Sequence, residues 1–399
     1  MENSKKINYK IFDCLVYGNG LTAKYAALSL CASGFSVIYI SKTIKELNKD
    51  FRTTMLTHNS LSSLKNLDII NEDQQNLSST KQINLISGDR KKFTVLKNLN
   101  SQNPLCWLIK NIDLIKKFDL SLAKLKKQKK IYHLTDEIQE VDFGESFAKI
   151  KLATNKKIRC SLVVAADGND SKLRKIAEIK TISKSTGKEG LIAIVKHNSN
   201  YKNVSWQKFS TNSILALLAI RYRNKQDGFS SLVWTLNKSK AAEKVKFSKE
   251  EFEKDLKKTF GDFLGNFSIC SPVNRWPLKR IDVPKPYGWR CVLVGDAARS
   301  IYPLSGQGYN LAISDINDLI KSLRWAQFLG LDLGSNQVLN NYHNKRKSDV
   351  FSMTKITDGV DWLFASGPKP IRDFSSLGLT ILDKINPIKK LIVNKMNQI

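Results

Sequence analysis

The stretch that most constrains this chain runs from Phe12 to Ile40. A short apolar segment, Phe12 to Tyr17, leads into Gly18-Asn19-Gly20-Leu21-Thr22-Ala23 and then a segment with Ala23, Ala26, Ala27 and Leu30 on one helical face. Gly34 ends that helix, and Ser36 to Ile40 is a second apolar strand. Strand, glycine turn, helix, strand is a βαβ unit, the building block of an α/β fold with a parallel sheet. In the pattern G-x-G-x-x-A the two glycines, Gly18 and Gly20, let the backbone turn and approach a pyrophosphate, and Ala23 permits close helix–sheet packing. The acidic residue expected about 20 positions on, to hold an adenosine ribose, is here Ser41, a weaker partner than a carboxylate.

A second constellation lies far along the chain. Cys291 to Val294 reads as a buried strand, followed by Gly295-Asp296 and a Pro/Gly-rich loop through Tyr302, Pro303, Gly306, Gln307 and Gly308. A helix then runs from about Tyr309 to Phe328, with Leu311, Ala312, Ile316, Leu319, Ile320 and Leu323 at the 3.6-residue period. A glycine-flanked loop on a helix N-terminus gathers free N–H groups and the positive end of the helix dipole, which makes an anion site. A tight turn that binds nothing is the competing reading.

Between these two, Leu162 to Ala166 is a continuous apolar run, as in a fully buried parallel strand, and it ends in Asp167-Gly168. An Asp there points into the crevice where open α/β sheets bind ligands, or else caps the helix that Ser171 and Arg174 open. Arg52 reads as a phosphate or flavin contact, or as a solvated arginine. The spacing predicts a hairpin over 82–97, an amphipathic helix from Trp107 to Lys127, and strands at 131–133, 138–143 and 148–154. It also predicts an antiparallel sheet from 191–197, 204–209, 214–221 and 230–236, and a helix over 247–264. Lys279 to Pro286 reads as a connection, and the chain is helical again beyond Gly330.

Composition narrows the function. Hydrophobic residues make up 42% and charged residues 25% of the 399, as in an ordinary globular protein. No apolar run approaches the ~20 residues of a membrane span, and Met1 to Lys10 lacks a secretory core, so a cytoplasmic location is expected. The six cysteines and four histidines are dispersed without metal-ligand spacing, so no metal is expected. The net charge of +29 comes mostly from lysines spread along the chain. No nucleic-acid-reading motif accompanies it, so the expectation is no nucleic acid but peripheral contact with an anionic membrane, on the inner face of the cytoplasmic membrane.

Taken together, Gly18-x-Gly20-x-x-Ala23, Ala165-Ala166-Asp167-Gly168 through Arg174, and Gly295-Asp296-Ala297-Ala298 through Gly306-Gln307-Gly308-Tyr309-Asn310 resemble the single-component flavin monooxygenases of the p-hydroxybenzoate hydroxylase fold. Within them the chain looks most like the ubiquinone-biosynthesis hydroxylases, the UbiH/UbiF/VisC group. Arg52 to Leu56, Ile109 to Leu114, Trp206 to Phe209, Ser230 to Thr235 and Thr357-Asp358-Gly359 carry the narrower match.

The resemblance implies a Rossmann-like FAD-binding domain (1–80, 101–180 and 286–330) and an antiparallel β-sheet substrate domain (181–285, with the hairpin 81–100). Residues 331–399 would be a C-terminal helical region. It puts Gly18, Gly20 and Ala23 under the FAD pyrophosphate, Ser41 at the ribose, Arg52 and Asn111 on the flavin side, and Asp167 and Gly168 with FAD and the nicotinamide donor. Asp296 would hold the ribityl chain, and Gly306, Gln307, Gly308, Tyr309 and Asn310 would present N–H groups to the flavin. Pro303 would orient the phenol, beside Tyr302.

The implied reaction hydroxylates the ring of a polyprenylated phenol with FAD, NAD(P)H and O2 through a flavin C4a-hydroperoxide, in a ubiquinone biosynthesis complex. Two alternatives are a non-catalytic flavin-fold scaffold of that complex and a hydroxylase for a small soluble phenol. The chain departs from the family at Ser41 (usually Glu), Tyr302 (usually His) and Ala312 (commonly Gly).

Overall fold

A computed structural model describes residues 10–42, 50–71, 76–88, 93–98, 103–199, 201–222, 228–300, 308–362 and 367. The βαβ unit consists of strand Ile11–Tyr17, helix Leu21–Ala32 and strand Val37–Ser41, with the strands parallel and Cys14 beside Val37. Along Ile11–Tyr17 the side chains alternate between two cores: Cys14 and Val16 enter one, Leu15 and Tyr17 the other. Burial on both faces is why this segment carries no polar alternation in sequence. The parallel order is Cys291–Leu293, Lys157–Ala165, Ile11–Tyr17, Val37–Ser41 and Ile131–Thr135, with Tyr287–Gly288 antiparallel at one edge.

One face of this sheet is covered by helices Leu21–Ala32, Asn111–Lys127 and Gly308–Phe328. Helix Asn111–Lys127 buries Leu114, Phe118 and Leu122, a single stripe at i, i+4. The opposite face is closed by an antiparallel meander, Ile138–Phe143 and Ala148–Leu152, laid against the first half of Lys157–Ala165. Of the helices described, none is long and apolar enough to cross a membrane. Cys106 and Cys160 are buried, and burial pushes their thiols up to about 12, so they pack as small hydrophobes.

The second sheet has nine strands, and its central members are Ile182–His197, Phe229–Asn237, Ser213–Ala219 and Val204–Ser210, paired antiparallel in that order. The hairpin Gln82–Ser87 and Thr94–Lys97 joins its far end, through a parallel pairing of Gln82–Ser87 with Val204–Ser210. Register sorts the residues of this sheet by face. Leu191, Trp234 and Leu215 stand side by side and pack under helix Lys249–Phe260. One position along, Ile192, Val233 and Ala216 stand side by side on the other face.

Two segments depart from the expectation. Trp107 to Lys110 is not the start of a helix: Cys106–Lys110 is a strand between Thr53–Leu56 and Ser78–Thr80, and the helix begins at Asn111. Lys279 to Pro286 is not simply a connection, because Asn274–Asp282 is a strand paired with Ile182–His197 across a register shift between Ser185 and Glu189. The predicted 247–264 helix is helix Lys249–Phe260 followed by a 3-10 turn, Asp262–Leu264, separated by Gly261 at φ +97°. Finally, the two-residue strand Arg299–Ser300 pairs with Ile281–Asp282 and so joins the Gly295-Asp296 turn to the nine-stranded sheet.

Candidate active site

A cavity of about 230 Å³ lies where the carboxyl ends of the parallel strands meet the uncovered face of the nine-stranded sheet. Its apolar wall is Ile192, Ala216, Leu218 and Val233, the residues that the period-2 alternation turns away from the helix-covered core. Arg52, Asn111, Asn169, Asp296, Gly308 and Tyr309 bring polar groups to it from the loops and helix starts of the parallel sheet.

These polar groups are held in place. Arg52 forms a two-point contact with Asp50, Nε to Oδ1 at 2.9 Å and Nη2 to Oδ2 at 2.7 Å, and its guanidinium lies 3.9 Å from the centre of the Trp276 ring. It is therefore no loosely solvated arginine. Asp296 is exposed to the cavity; desolvation by the protein around it pushes its carboxyl above the ordinary carboxylate range, and Arg52 pulls it back down in part. Asn111 starts its helix, with its backbone N–H on Arg52 O at 2.9 Å and its Oδ1 accepting from Thr54 Oγ1 at 2.7 Å.

At the end of Lys157–Ala165, Asp167 caps a helix with one oxygen and leaves the other unpartnered. Its Oδ2 accepts from the N–H groups of Lys172 (2.8 Å) and Leu173 (3.2 Å), which is helix capping. Its Oδ1 is buried without a partner, as is Asn169 Oδ1. Gly168 has φ +80°, a left-handed turn that a side chain would strain. Arg174 is buried and donates to Ala297 O (2.7 Å) and Asn169 O (2.6 Å), tying the Asp167-Gly168 turn to the Gly295-Asp296 turn.

The two N-terminal glycines differ in kind. Gly18 has φ +150°, and a Cβ there would sit 2.2 Å from Ala166 O, so the protein itself demands glycine. Ala23 is fully buried beside it. Gly20, the uncapped N-cap of helix Leu21–Ala32, has φ −81°, and a Cβ there would meet nothing within 4 Å. The protein gives no reason for glycine at that point; an anionic ligand drawn close to the helix N-terminus does. Open space at Gly20 and the unpartnered oxygens of Asp167 and Asn169 fit a dinucleotide such as FAD lying across the strand ends.

Other expected residues have more specific surroundings. Ser41, at the end of Val37–Ser41, places Oγ 2.9 Å from His133 Nε2. Asn310 does not line the cavity: it is fully buried, accepting from Thr57 N (3.1 Å) and donating to Met55 O (2.9 Å), so its side chain locks the helix start to strand Thr53–Leu56. Tyr309 does line it, with a buried hydroxyl that has no partner. Tyr302, Pro303, Gly306 and Gln307 lie outside the described residues.

One arrangement escaped the sequence reading. Asp315 is fully buried under the Gly295-Asp296 turn and accepts from Arg299 Nη1 at 2.6 Å on each oxygen, Arg346 Nε at 2.9 Å and Gly295 N at 3.1 Å. The signal was available: Asp315 falls four residues after Leu311 and four before Leu319, a carboxylate on an otherwise apolar helical stripe.

Two packed sheets, a glycine-bearing βαβ unit and a cavity between them define a dinucleotide-binding flavoprotein fold. The comparisons agree: residues 12–356 match the FAD binding domain family, and the chain belongs to that family. It is 30% identical over 242 residues to ubiquinone hydroxylase UbiL of Rhodospirillum rubrum, covering 61% of this chain and 55% of that protein. It is 28% identical over 278 residues to the mitochondrial ubiquinone biosynthesis monooxygenase COQ6 of Mus musculus, covering 61% of this chain and 57% of that one. The chain thus spans little more than half the length of these relatives. Among solved structures, p-nitrophenol 4-monooxygenase PnpA of Pseudomonas putida superposes with a TM-score of 0.76 at 14% identity, over 97% of this chain and 98% of that one. PqsL of P. aeruginosa in complex with 2-aminobenzoylacetate superposes with a TM-score of 0.70 at 17% identity, over 87% and 94%. These two share the fold.

Proposed function

We propose that the protein hydroxylates the aromatic ring of a polyprenylated phenol in ubiquinone biosynthesis. The observation that carries this reading is the cavity itself, apolar on the side of Ile192, Ala216, Leu218 and Val233 and polar on the side of Arg52, Asn111 and Asp296. The redox chemistry is what bound FAD supplies, with electrons from NAD(P)H and one oxygen atom of O2 reaching the ring. The chain's own part is positioning. The apolar wall seats the ring and keeps water from it, the Arg52–Trp276 stack fixes the edge of the pocket, and Asp167, Asn169 and Asp296 offer acceptors to the cofactor's hydroxyl groups. Gly18, Gly20, Ala23, Gly168 and Gly308 are assigned to backbone approach, and Tyr302 and Pro303 to the substrate side on motif position alone.

The named relatives act in ubiquinone biosynthesis, which supports the polyprenylated substrate and a place in a biosynthetic complex. The net charge of +29 supports peripheral contact with an anionic membrane, where such a substrate resides. The test is direct. Protein purified with FAD is given NADH or NADPH and a polyprenyl phenol, and O2 uptake and a product heavier by one oxygen are measured. Substrate-dependent uptake with that product supports the reading. Turnover of small phenols only would make it a soluble-phenol hydroxylase, and a flavin-free protein that still restores quinone synthesis to a deletion strain would make it a scaffold.

A further inference from the structure

The end of strand Val37–Ser41 carries a serine where dinucleotide folds ordinarily present a carboxylate to the ribose. The structure gives that serine a partner which the sequence did not reveal. Val37–Ser41 pairs in parallel with Ile131–Thr135 so that Tyr39 lies beside His133, and the Tyr39 and His133 rings stack with centroids 4.6 Å apart. Tyr39 is itself fixed, its hydroxyl donating to Gly18 O at 3.0 Å. With the ring held there, His133 Nε2 is 2.9 Å from Ser41 Oγ. The same strand end is tied to the glycine turn a second time, by Lys42 N donating to Asn19 Oδ1 at 2.6 Å, and Ser41 O accepts from Asp136 N at 2.9 Å. Ser41 is thus a hydroxyl clamped beside the turn over which the pyrophosphate runs.

A carboxylate serves a ribose diol as an acceptor only, whereas a serine hydroxyl both donates and accepts. Burial, with Lys126 and Lys24 nearby and Asp119 opposing them, holds His133 below the usual imidazole value, so its ring is neutral at pH 7 and has one nitrogen free to accept. We propose that Ser41 and His133 act as one neutral acceptor pair for the adenosine ribose of FAD. His133 Nε2 takes the Ser41 hydroxyl hydrogen, and Ser41 Oγ keeps its lone pairs for a ribose hydroxyl. His133 is then a positioning residue acting through Ser41. The inference rests on FAD as the cofactor and is independent of the hydroxylation reading.

The experiment measures dissociation constants of the apoprotein for FAD and for the FAD analogue whose adenosine ribose lacks its 2′-hydroxyl. Wild type should prefer FAD by about five- to tenfold, the scale of one neutral hydrogen bond. Ser41→Ala and His133→Phe, which keeps a ring against Tyr39, should each erase that preference, and the double variant should lose no more. If His133→Phe does not fold, His133→Leu, which likewise has no acceptor for the Ser41 hydroxyl, carries the test. A wild type indifferent to the hydroxyl overturns the proposal, and so does a His133 variant that keeps the preference, even if it binds both ligands more weakly. A wild type that binds neither flavin overturns it together with the cofactor assignment.

Discussion

Replacing Asp315 by Asn tests the buried ion cluster under the Gly295-Asp296 turn. Asp315 accepts four hydrogen bonds, two from Arg299, one from Arg346 and one from Gly295 N, and none of the three side chains is more than 7% exposed. Asn is almost isosteric but uncharged, so packing is kept while two buried guanidinium groups lose the carboxylate they share. Arg346 keeps Asp318 and Asp349 at 3.3 and 3.1 Å, but Arg299 has no other acidic side chain within ion-pair distance among the described residues. Breaking a buried pair from one side costs about 3–5 kcal/mol, because a desolvated charge is left uncompensated. At an unfolding entropy of about 2.1 cal/mol/K per residue, 399 residues give roughly 1.2 °C per kcal/mol, so the melting temperature of the apoprotein should fall by about 4–6 °C. Calorimetry or dye-based melting reads this directly. Removing all three charges with Arg299→Met, Asp315→Leu and Arg346→Leu should recover most of the loss, since a well-packed apolar replacement often equals the ion cluster. An Asp315→Asn melting point within a degree of wild type would refute the claim that this carboxylate holds the turn.

Three further perturbations separate roles that the sequence alone conflates. Gly20→Ala should leave the apoprotein's melting point unchanged yet weaken FAD about tenfold or more, because the methyl meets only the space the pyrophosphate would approach, whereas Gly18→Ala should destabilise the fold outright against Ala166 O; equal effects in melting and FAD titration would sink the distinction. Ala216→Phe should raise KM for the phenol without changing the FAD dissociation constant, since Ala216 sits on the cavity wall opposite the cofactor-side polar groups; steady-state kinetics beside flavin titration decides it. His197, buried with Nδ1 unpartnered, is pushed down to about 4 by desolvation, below its unfolded value of about 6.5. The unfolded chain therefore binds more protons between those pH values, so stability is complete above about pH 6.5 and about 3 kcal/mol is lost as pH falls to about 4. His197→Asn should flatten that part of the denaturation-versus-pH curve, and an unaltered slope would show that other groups carry it.

Much of the fold was legible because its segments are locally consistent. The Ile11–Tyr17 strand, the glycine turn and the small-residue helix agree in period and turn chemistry, so the βαβ unit could be read to within a residue or two. Cys291–Leu293 leading to helix Gly308–Phe328 was legible for the same reason. What failed was decided by distant partners. Cys106-Trp107-Leu108-Ile109 is an apolar run that suits helix or strand equally; pairing with Thr53–Leu56, some fifty residues earlier, makes it a strand. Asn274–Asp282 is charged and contains Pro277, and it reads as a connection until the irregular register beside Ser185 and Glu189 accommodates it. In the site, the glycines and Asp296 announced themselves by motif. His133 did not, because its meeting with Ser41 follows from a parallel register that no local pattern encodes.

The strand order of the parallel sheet also bears on how the chain is made. Strand Ile11–Tyr17 emerges first, with Val37–Ser41 soon beside one edge, but its other edge waits for Lys157–Ala165, and that strand in turn waits for Cys291–Leu293. Between the last two, the chain must complete most of the nine-stranded sheet. During synthesis Ile11–Tyr17 therefore carries an open edge while more than a hundred further residues are added, the state in which strands find the wrong neighbour. The cradle for the cofactor is begun near residue 18 and closed near residue 308, so a ligand binding there would tie together two stretches made far apart in time.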